Sequence, residues 1–246
     1  KKQKDSKNIV AFVFVPGNVR SIRPHLLENK TLFMDIHDSV EDIKDEIDHK
    51  VAYLLASDTQ ITNDTLLDAE FRQEIKPKVK RFLSRKGWPP ISTHEVYDED
   101  KDAIMRALWD TGLDNSPDDK VKVIFYPIYL SGTDGLLDTS YYETMQGCHL
   151  GVFPSFYEPW GYTPLEAAAL GVSSITTDLA GFGRYLSSEC KQGKYPGIFV
   201  LKRFGRTDAD IIKDLADMME LYSKFTMHER VENKIMAQRV AATADW

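Results

Sequence analysis

The sequence predicts an α/β protein built on a doubly wound parallel sheet, into which a helical pair is inserted. Residues Ile9 to Val15 form a continuous apolar run that Pro16 and Gly17 end, which is typical of a strand buried on both faces. Beyond residue 90, short apolar segments alternate regularly with helical stretches, as in repeated βα units. Residues 36–87, between these parts, have helical spacing instead.

The βα units have definite expected positions along the chain. Strands are expected near Ile91–His94, Val121–Tyr126, Leu150–Pro154, Ser174–Thr177 and Gly197–Leu201. Helices are expected at about 100–112, 139–147, 162–171, 181–189 and 207–222, with a last one at about 226–243. Ligands of such sheets bind at the carboxyl ends of the strands, where loops lead into helices. The loops that follow the strands are therefore the places to look for chemistry.

The inserted segment 36–87 contains two predicted helices. The first has an apolar stripe and a strongly acidic opposite face; the stripe consists of Ile36, Val40, Ile43, Ile47, Val51 and Leu54. The second runs from about Leu66 through Phe71 toward Phe82, with a kink or break expected at Pro77. Two roles are open for this pair: it packs wholly on its own domain, or it serves as an assembly element that buries the stripe against another copy.

Composition excludes several classes of protein. A chain of 246 residues with 42% hydrophobic content can bury a full core. Its formal net charge of −7 argues against nonspecific nucleic-acid binding, so an anionic ligand must be held locally. The histidines, at positions 25, 37, 49, 94, 149 and 228, lack metal-ligand spacing, so no metal site is expected. The two cysteines, Cys148 and Cys190, are expected to be reduced, buried thiols.

No membrane segment or signal peptide is expected. No apolar run approaches the roughly 20 residues that span a bilayer, and the first residues are polar. A cytosolic location is expected. Because the chain opens on Lys1 instead of Met, we expect it to be part of a longer protein.

The segment after the strand at Leu150 combines a loop with a helix start that can bind an anion. Pro164 suits a first helical turn, Thr163 can cap that helix, and Gly161 leaves room for something to approach the backbone. The free amides of such a helix start bind phosphates. Gly171 should end the helix in the left-handed conformation.

Two carboxylates flank this helix start. Glu158 lies in the loop and Glu166 inside the helix, with seven residues between them. They cannot be neighbours on one face, so each can reach a different part of a ligand. A carboxylate such as that of Glu166 can accept two or more hydrogen bonds from sugar or ribose hydroxyls. A capping and surface role for both residues is the alternative.

These residues carry a resemblance to a known family. Glu158 and Glu166 match the Glu-x7-Glu signature of retaining glycosyltransferases with the GT-B fold. The string from Gly147 to Pro164, GCHLGVFPSFYEPWGYTP, is similar almost residue for residue to animal and fungal glycogen synthases. The match continues through 173–183 and, more weakly, at Val10–Phe12, Trp88–Pro90 and Lys120–Ile124; the helical insertion and the extreme C-terminus match poorly.

The resemblance implies that residues 1–246 are the C-terminal, donor-binding domain of a GT-B enzyme, whose N-terminal domain is not in this chain. Such an enzyme transfers glucose from UDP-glucose to an α-1,4-glucan with retention, without a metal. Glu158 would be the catalytic carboxylate near the donor glucose, and Glu166 would hold the ribose hydroxyls. Thr163 and the amides around Gly161 and Tyr162 would take the distal phosphate.

The resemblance assigns four further residues. Tyr129 and Tyr141 match the pair that sandwiches the uracil, with core packing as the alternative for either. His149 would lie near the donor sugar or be a core residue, and Trp160 would wall the glucose pocket or pack structurally. Further implied partners are other copies of the chain, in a tetramer, and a glycogenin-type primer protein.

Two points of the family pattern concern catalysis and regulation. In the family, a Gly-Arg-x-Glu-x-x-Asn-Lys-Gly string supplies the phosphate-neutralising arginine and lysine; this sequence begins just after the place where this string would be, so no such pair is assigned. The helix that corresponds to the family's arginine-rich, glucose 6-phosphate-binding helix, residues 228–239, has only three Lys or Arg, interrupted by two Glu. This puts glucose 6-phosphate activation in doubt.

Three other readings are weighed against this one. A starch or sucrose synthase type of GT-B transferase would share the fold, but the string from Tyr157 to Pro164 favours the glycogen enzyme. A non-catalytic scaffold relative would bind nucleotide or glucan without turnover. A dinucleotide-dependent enzyme needs a Gly-x-Gly-x-x-Gly turn after the first strand, which the segment from Pro16 to Arg20 does not provide.

Overall fold

The computed structural model describes residues 8–85, 87–189 and 193–244. The chain divides into two compact units, Lys1–Tyr129 and Leu130–Trp246. The single donor-binding domain with an insertion, expected over 1–246, stays a prediction. The architecture is mixed α/β with parallel strands, as the sequence predicts.

The first unit combines short strands with a helical region. Its elements in chain order are β1 (Ile9–Phe14), β2 (Val19–Ile22), α1 (Pro24–Glu41), α2 (Lys44–Ala56), α3 (Asn63–Leu66), α4 (Ala69–Leu83), β3 (His94–Val96), α5 (Ala103–Asp110) and β4 (Val121–Tyr126). Strands β1 and β4 pair in parallel, with Ile9 opposite Val121 and Phe14 opposite Tyr126. Strands β2 and β3 pair antiparallel, and a 3-10 turn at Glu99–Lys101 precedes α5.

Strand β1 corrects one expectation. The continuous apolar run predicts a strand buried on both faces, but Val10 is 54% exposed and Ile9 and Phe12 are also exposed. The physical reason is that β1 pairs only with β4 among the described residues, which leaves it at the edge of a two-stranded sheet. An apolar run therefore indicates a strand here without indicating its burial.

The helical region also differs from its prediction. It begins at Pro24 rather than at Ile36, and it comprises four helices instead of two. The predicted first helix is interrupted between Glu41 and Lys44, and α4 continues through Pro77 without the expected break. Helices α1 and α4 pack together, with the rings of Phe33 and Phe82 centred 6.1 Å apart.

The apolar stripe of this region is partly covered by its own chain. Leu54 is only 6% exposed, and Ile43 and Ile47 are half-buried. Ile43 and Ile47 line one groove together with Leu66 and Phe71 of the following segment. Part of the stripe is therefore packed within the unit, whereas Val40 is exposed, and the assembly role stays a prediction.

The second unit contains a three-stranded parallel sheet with the order β5-β6-β7. Its elements are α6 (Tyr141–Gly147), β5 (Leu150–Val152), α7 (Tyr162–Ala169), β6 (Ser173–Thr177), α8 (Gly181–Glu189), β7 (Ile198–Leu201), α9 (Asp208–Ser223) and α10 (Met227–Thr243). The helix α8 matches its predicted bounds, and most of the others lie within two residues of theirs. The expected βα order is thus confirmed in this unit.

The central sheet has helices on both of its faces. Ile198 and Val200 of β7 point to one side, where they pack with Ala168 of α7, Leu186 of α8 and residues of α10. Phe199 and Leu201 point to the other side and pack with Tyr222 at the end of α9. Alternating strand residues thus bury apolar surface on both faces, as in a doubly wound fold.

Helix α10 is fixed to the sheet by one buried amide. Asn233 is fully buried, and its side chain accepts from the backbone of Gly197 at 2.9 Å and donates to the hydroxyl of Ser173 at 2.7 Å. The left-handed Gly197 allows this contact, because a side chain there would overlap the backbone of Ala237. The helix therefore closes the unit that carries the candidate site.

Candidate active site

The candidate site lies where β5, β6 and β7 end. The loop from Phe153 to Gly161 follows β5, the connection 178–180 follows β6, and the loop 202–207 follows β7. Parallel strands bring their carboxyl ends to one edge of the sheet, which is where ligands bind in such folds. The motif found in the sequence thus occupies the expected edge.

The loop after β5 is held against the connection after β6. The backbone N–H of Glu158 donates to the carbonyl of Leu179 at 3.4 Å, and that of Gly181 donates to the carbonyl of Glu158 at 3.2 Å. Phe182 donates to the carbonyl of Trp160 at 2.7 Å. A Cβ on Gly181 would lie 2.2 Å from the carbonyl oxygen of Pro159, so only glycine permits this approach.

The carboxylate of Glu158 has a hydrogen-bond donor on one side and a glycine on the other. The hydroxyl of Ser155 donates to its Oε1 at 2.7 Å. Its Oε2 lies above Gly161, where a Cβ would come within 2.8 Å of that oxygen. Gly161 also has a φ of 101°, which other residues rarely adopt. The positive φ therefore favours glycine at this position.

Helix α7 begins with amides that its own N-cap cannot satisfy. The N-cap is Gly161, which has no side chain to accept a hydrogen bond, and the helix begins at Tyr162. Thr163 is therefore inside the helix, and its predicted capping role is wrong because the left-handed Gly161 occupies that position. Pro164 lies in the first turn, as predicted, where a missing N–H costs nothing. The first-turn amides are consequently suited to an anion.

Helix α7 ends as the sequence predicts. Gly171 has a φ of 73°, its N–H donates to the carbonyl of Ala168, and the N–H of Val172 donates to the carbonyl of Ala167. This pair of bonds is the Schellman arrangement, which satisfies the last carbonyls of the helix.

Glu166 forms a second polar centre one turn into α7. The hydroxyl of Tyr141 donates to its Oε2 at 3.2 Å, and that of Tyr142 lies 3.4 Å from its Oε1. Burial, with Glu166 nearby and a counteracting bond to Thr163, raises the pKa of Tyr141 to about 12. The phenol therefore stays protonated and remains a donor to the carboxylate at neutral pH.

The other predicted residues have different surroundings. Tyr162 is 60% exposed, and the side chain of His149 is exposed, so the core role left open for His149 is wrong. Trp160 packs its ring against Phe182 and Tyr185, with centroids 5.7 and 5.9 Å apart.

Tyr129, the proposed partner of Tyr141 in the uracil sandwich, belongs to the other unit. It is 81% exposed, so packing in the core does not account for it.

Sequence reasoning missed three residues that shape the site. Ser155 binds the carboxylate of Glu158, and Tyr142 approaches that of Glu166. Arg203, after β7, has its guanidinium 3.8 Å from the centre of the Phe156 ring and donates to the carbonyl of Pro154. Ser155 lies within the matched string and Tyr142 is next to Tyr141, so their neighbours in sequence could have indicated them. The place of Arg203 near the site depends on the strand order, which brings the end of β7 to the same edge of the sheet.

The described residues were compared with the requirements of metal sites, reactive thiols and membrane helices. Within residues 8–85, 87–189 and 193–244, no group of three His, Cys, Asp or Glu side chains could hold a metal ion. Cys148 is a half-buried free thiol whose pKa is raised by burial, and Cys190 lies outside the described residues. In the parts of the chain that the structure describes, no helix is both long and apolar enough to cross a membrane.

The parallel strands and the helix-start site at their carboxyl ends fit the Rossmann-like fold of the glycosyltransferases. Comparison with known proteins supports this class and narrows it. The glycogen synthase family profile matches residues 1–246. The chain therefore belongs to the glycogen synthase family.

Individual relatives have similar sequences along nearly the whole chain. Glycogen (starch) synthase isoform 2 of Saccharomyces cerevisiae is 33% identical over 251 residues, covering 98% of this chain and 36% of the yeast protein. The human liver glycogen (starch) synthase is 31% identical over 246 residues, covering 99% of this chain and 34% of the human protein. The chain thus spans about a third of the length of the curated relatives that it matches.

Proposed function

We propose that this chain supplies the donor-nucleotide half of a glycogen synthase, which transfers glucose from UDP-glucose to the non-reducing end of an α-1,4-glucan with retention. The observation that carries the proposal is the arrangement around α7. A fixed carboxylate, Glu158, precedes a helix start with free amides, and a second carboxylate, Glu166, follows one turn later. These three features suit the sugar, the phosphates and the ribose of one nucleotide sugar.

The helix start is proposed to hold the distal phosphate. The amides of Tyr162 and Thr163 point toward the N-terminal end of α7, where the helix dipole favours negative charge. Gly161 leaves this end uncovered because it has no side chain. A chain with a formal charge of −7 needs such a local site to attract a diphosphate.

The nucleoside is proposed to lie beside Glu166. Its carboxylate can accept hydrogen bonds from both ribose hydroxyls, and the hydroxyl of Tyr141 keeps it oriented. The ring of Tyr141 is proposed to stack on the uracil. The sandwich partner that the resemblance gives it, Tyr129, stays a prediction.

The chemistry proposed for this site is displacement on one face of the sugar, helped by the leaving phosphate. Stabilising the charge on the departing UDP then dominates the rate. Glu158 is proposed to contact the donor glucose at the reacting end, with His149 near the same sugar and Trp160 as a wall of its pocket. The contacts of Trp160 with Phe182 and Tyr185 would hold such a wall rigid.

The same proposal covers partners and conditions. UDP-glucose is the substrate and no metal ion or other cofactor is required. The complete protein is proposed to act in the cytoplasm as a homo-oligomer, most simply a tetramer, on glycogen begun on a glycogenin-type primer protein. Nucleic acid and membranes are not partners in this scheme.

A transfer assay tests the proposal. The complete polypeptide that contains these residues is given glycogen and labelled UDP-glucose or ADP-glucose, with and without EDTA. We expect label in the glucan from UDP-glucose, little from ADP-glucose, and the same rate in EDTA. No transfer from UDP-glucose would contradict the proposed function, and loss of transfer in EDTA would contradict the metal-free mechanism.

A further inference from the structure

The residue that fixes the Glu158 carboxylate is Ser155, three positions earlier in the same loop. Its hydroxyl donates to Oε1 of Glu158 at 2.7 Å, the usual length of a well-formed O–H···O hydrogen bond. Both side chains are half-buried, so water screens this bond less than it would on an open surface. The contact therefore determines the rotation of the carboxylate.

Ser155 itself is held by the sheet. Its carbonyl accepts from the hydroxyl of Thr177 at 3.0 Å, and Thr177 is fully buried at the end of β6. Its N–H donates to the carbonyl of Phe153 at 2.9 Å. The preceding carbonyl, that of Pro154, accepts from the guanidinium of Arg203 beyond β7. The ends of β6 and β7 thus both fix the backbone from which the serine hydroxyl projects.

The other side of the carboxylate is open by construction. Gly161 has no side chain to meet Oε2, so nothing at that position pushes Glu158 back when the serine contact is lost. The backbone bonds of Glu158 to Leu179 and Gly181 fix its Cα, but they leave the side-chain torsions free. Ser155 supplies the contact that fixes those torsions.

We propose that Ser155 is a positioning residue, which holds the Glu158 carboxylate in the orientation needed at the reacting sugar. This inference rests on the proposed function, because it takes Glu158 to act on the donor sugar. Positioning matters because small displacements of a reacting group cost orders of magnitude in rate. The hydroxyl of Ser155 need not touch the substrate for this effect.

The test uses the complete polypeptide with Ser155→Ala, Ser155→Thr and, as a matched control, Ser188→Ala on the exposed face of α8. For Ser155→Ala we expect kcat to fall about 10- to 100-fold, with the KM for UDP-glucose and the Kd for UDP within about twofold of the parent. Ser155→Thr restores a hydroxyl and should recover most of kcat. A purely structural role would instead lower the melting temperature and raise KM.

Two outcomes overturn the inference. One is normal kcat in Ser155→Ala while Glu158→Gln is impaired; the other is a crystal structure of Ser155→Ala in which the Glu158 carboxylate has not moved. The crystal structure needs no activity and remains decisive if the variant cannot be assayed. If the parent fails to transfer glucose, the proposed function fails, and the crystal structure alone still decides whether Ser155 orients Glu158.

Discussion

Glu158 is the residue on which the proposed chemistry depends most. Its carboxylate is tied to Ser155 and lies above a glycine, and its backbone is pinned to the connection after β6. A role as a helix cap, the alternative from sequence, does not fit, because Gly161 occupies the N-cap of α7.

Replacing Glu158 by Gln in the complete polypeptide should lower kcat about 100-fold or more, while the Kd for UDP changes little. The amide keeps the size of the side chain but loses the negative charge, so the loss should appear in the transition state. Steady-state kinetics and a UDP titration measure the two effects. The matched control is Glu189→Gln on exposed α8, which should behave as the parent; normal turnover in Glu158→Gln would remove this residue from the site.

Residue identities were the easiest part of the site to predict. Gly161, Pro164 and Gly171 indicate a helix with a defined start and end. Proline is typical of a first helical turn, and glycine is typical of positions with a positive φ at helix ends. Thr163 was given the wrong position by one or two residues, since the left-handed Gly161 moves the cap earlier. The serine contact of Glu158 could not be predicted, because several loop conformations place Ser155 elsewhere.

The elements of the second unit carry the site, and α10 keeps them together. The N-terminus of α10 is closed by a capping box between Thr226 and Glu229. The carboxylate of Glu229 also accepts from the hydroxyl of Tyr195 at 2.9 Å and from Lys194 at 3.2 Å. The backbone N–H of Thr226, followed by these side chains, lowers the pKa of Glu229 to about 2.

This lowered pKa predicts a pH-dependent stability difference between the parent and Glu229→Gln. The folded state favours the carboxylate, so its stabilisation is complete above the unfolded pKa of about 4.3 and is lost as the pH falls toward 2. Urea midpoints should therefore differ most at neutral pH and converge on acidification. Glu232→Gln, exposed on the same helix, should show no such trend, and a gap that stays constant or widens in acid would contradict the assignment.

Element positions in the second unit were predictable for a physical reason. Each βα unit there is short, and its strands are apolar runs ended by turn residues. The hydrophobic periodicity and the turn residues therefore indicate the same element boundaries. In the first unit these two signals indicate different boundaries. Residues 24–35 contain no strong apolar stripe, so the prediction includes only the last part of α1, from Ile36 onward. A proline inside a helix usually kinks or breaks it, so a kink or break is predicted at Pro77, through which α4 continues.

At the scale of the whole molecule, net charge and the helix start at α7 support the proposed nucleotide ligand. The chain is acidic overall but presents free amides at α7, which suit a compact anion better than a polyanion. The predicted stripe is unevenly buried, because Leu54 is buried whereas Val40 is exposed, and its role in assembly stays a prediction. Which residues of the stripe are buried depends on how the neighbouring helices of the same unit pack, and the periodicity of the sequence alone does not give this.

Calorimetric titration of the complete polypeptide with UDP and with ADP, in EDTA, tests the central claim most directly. The parent should bind UDP in the absence of metal and bind ADP more weakly. Glu166→Ala, which removes the proposed ribose contact, should weaken UDP binding about tenfold or more, whereas the control Glu189→Ala should not. Equal affinity for the two nucleotides, or a Glu166→Ala variant that binds UDP as the parent does, would contradict a uridine-nucleotide site at α7.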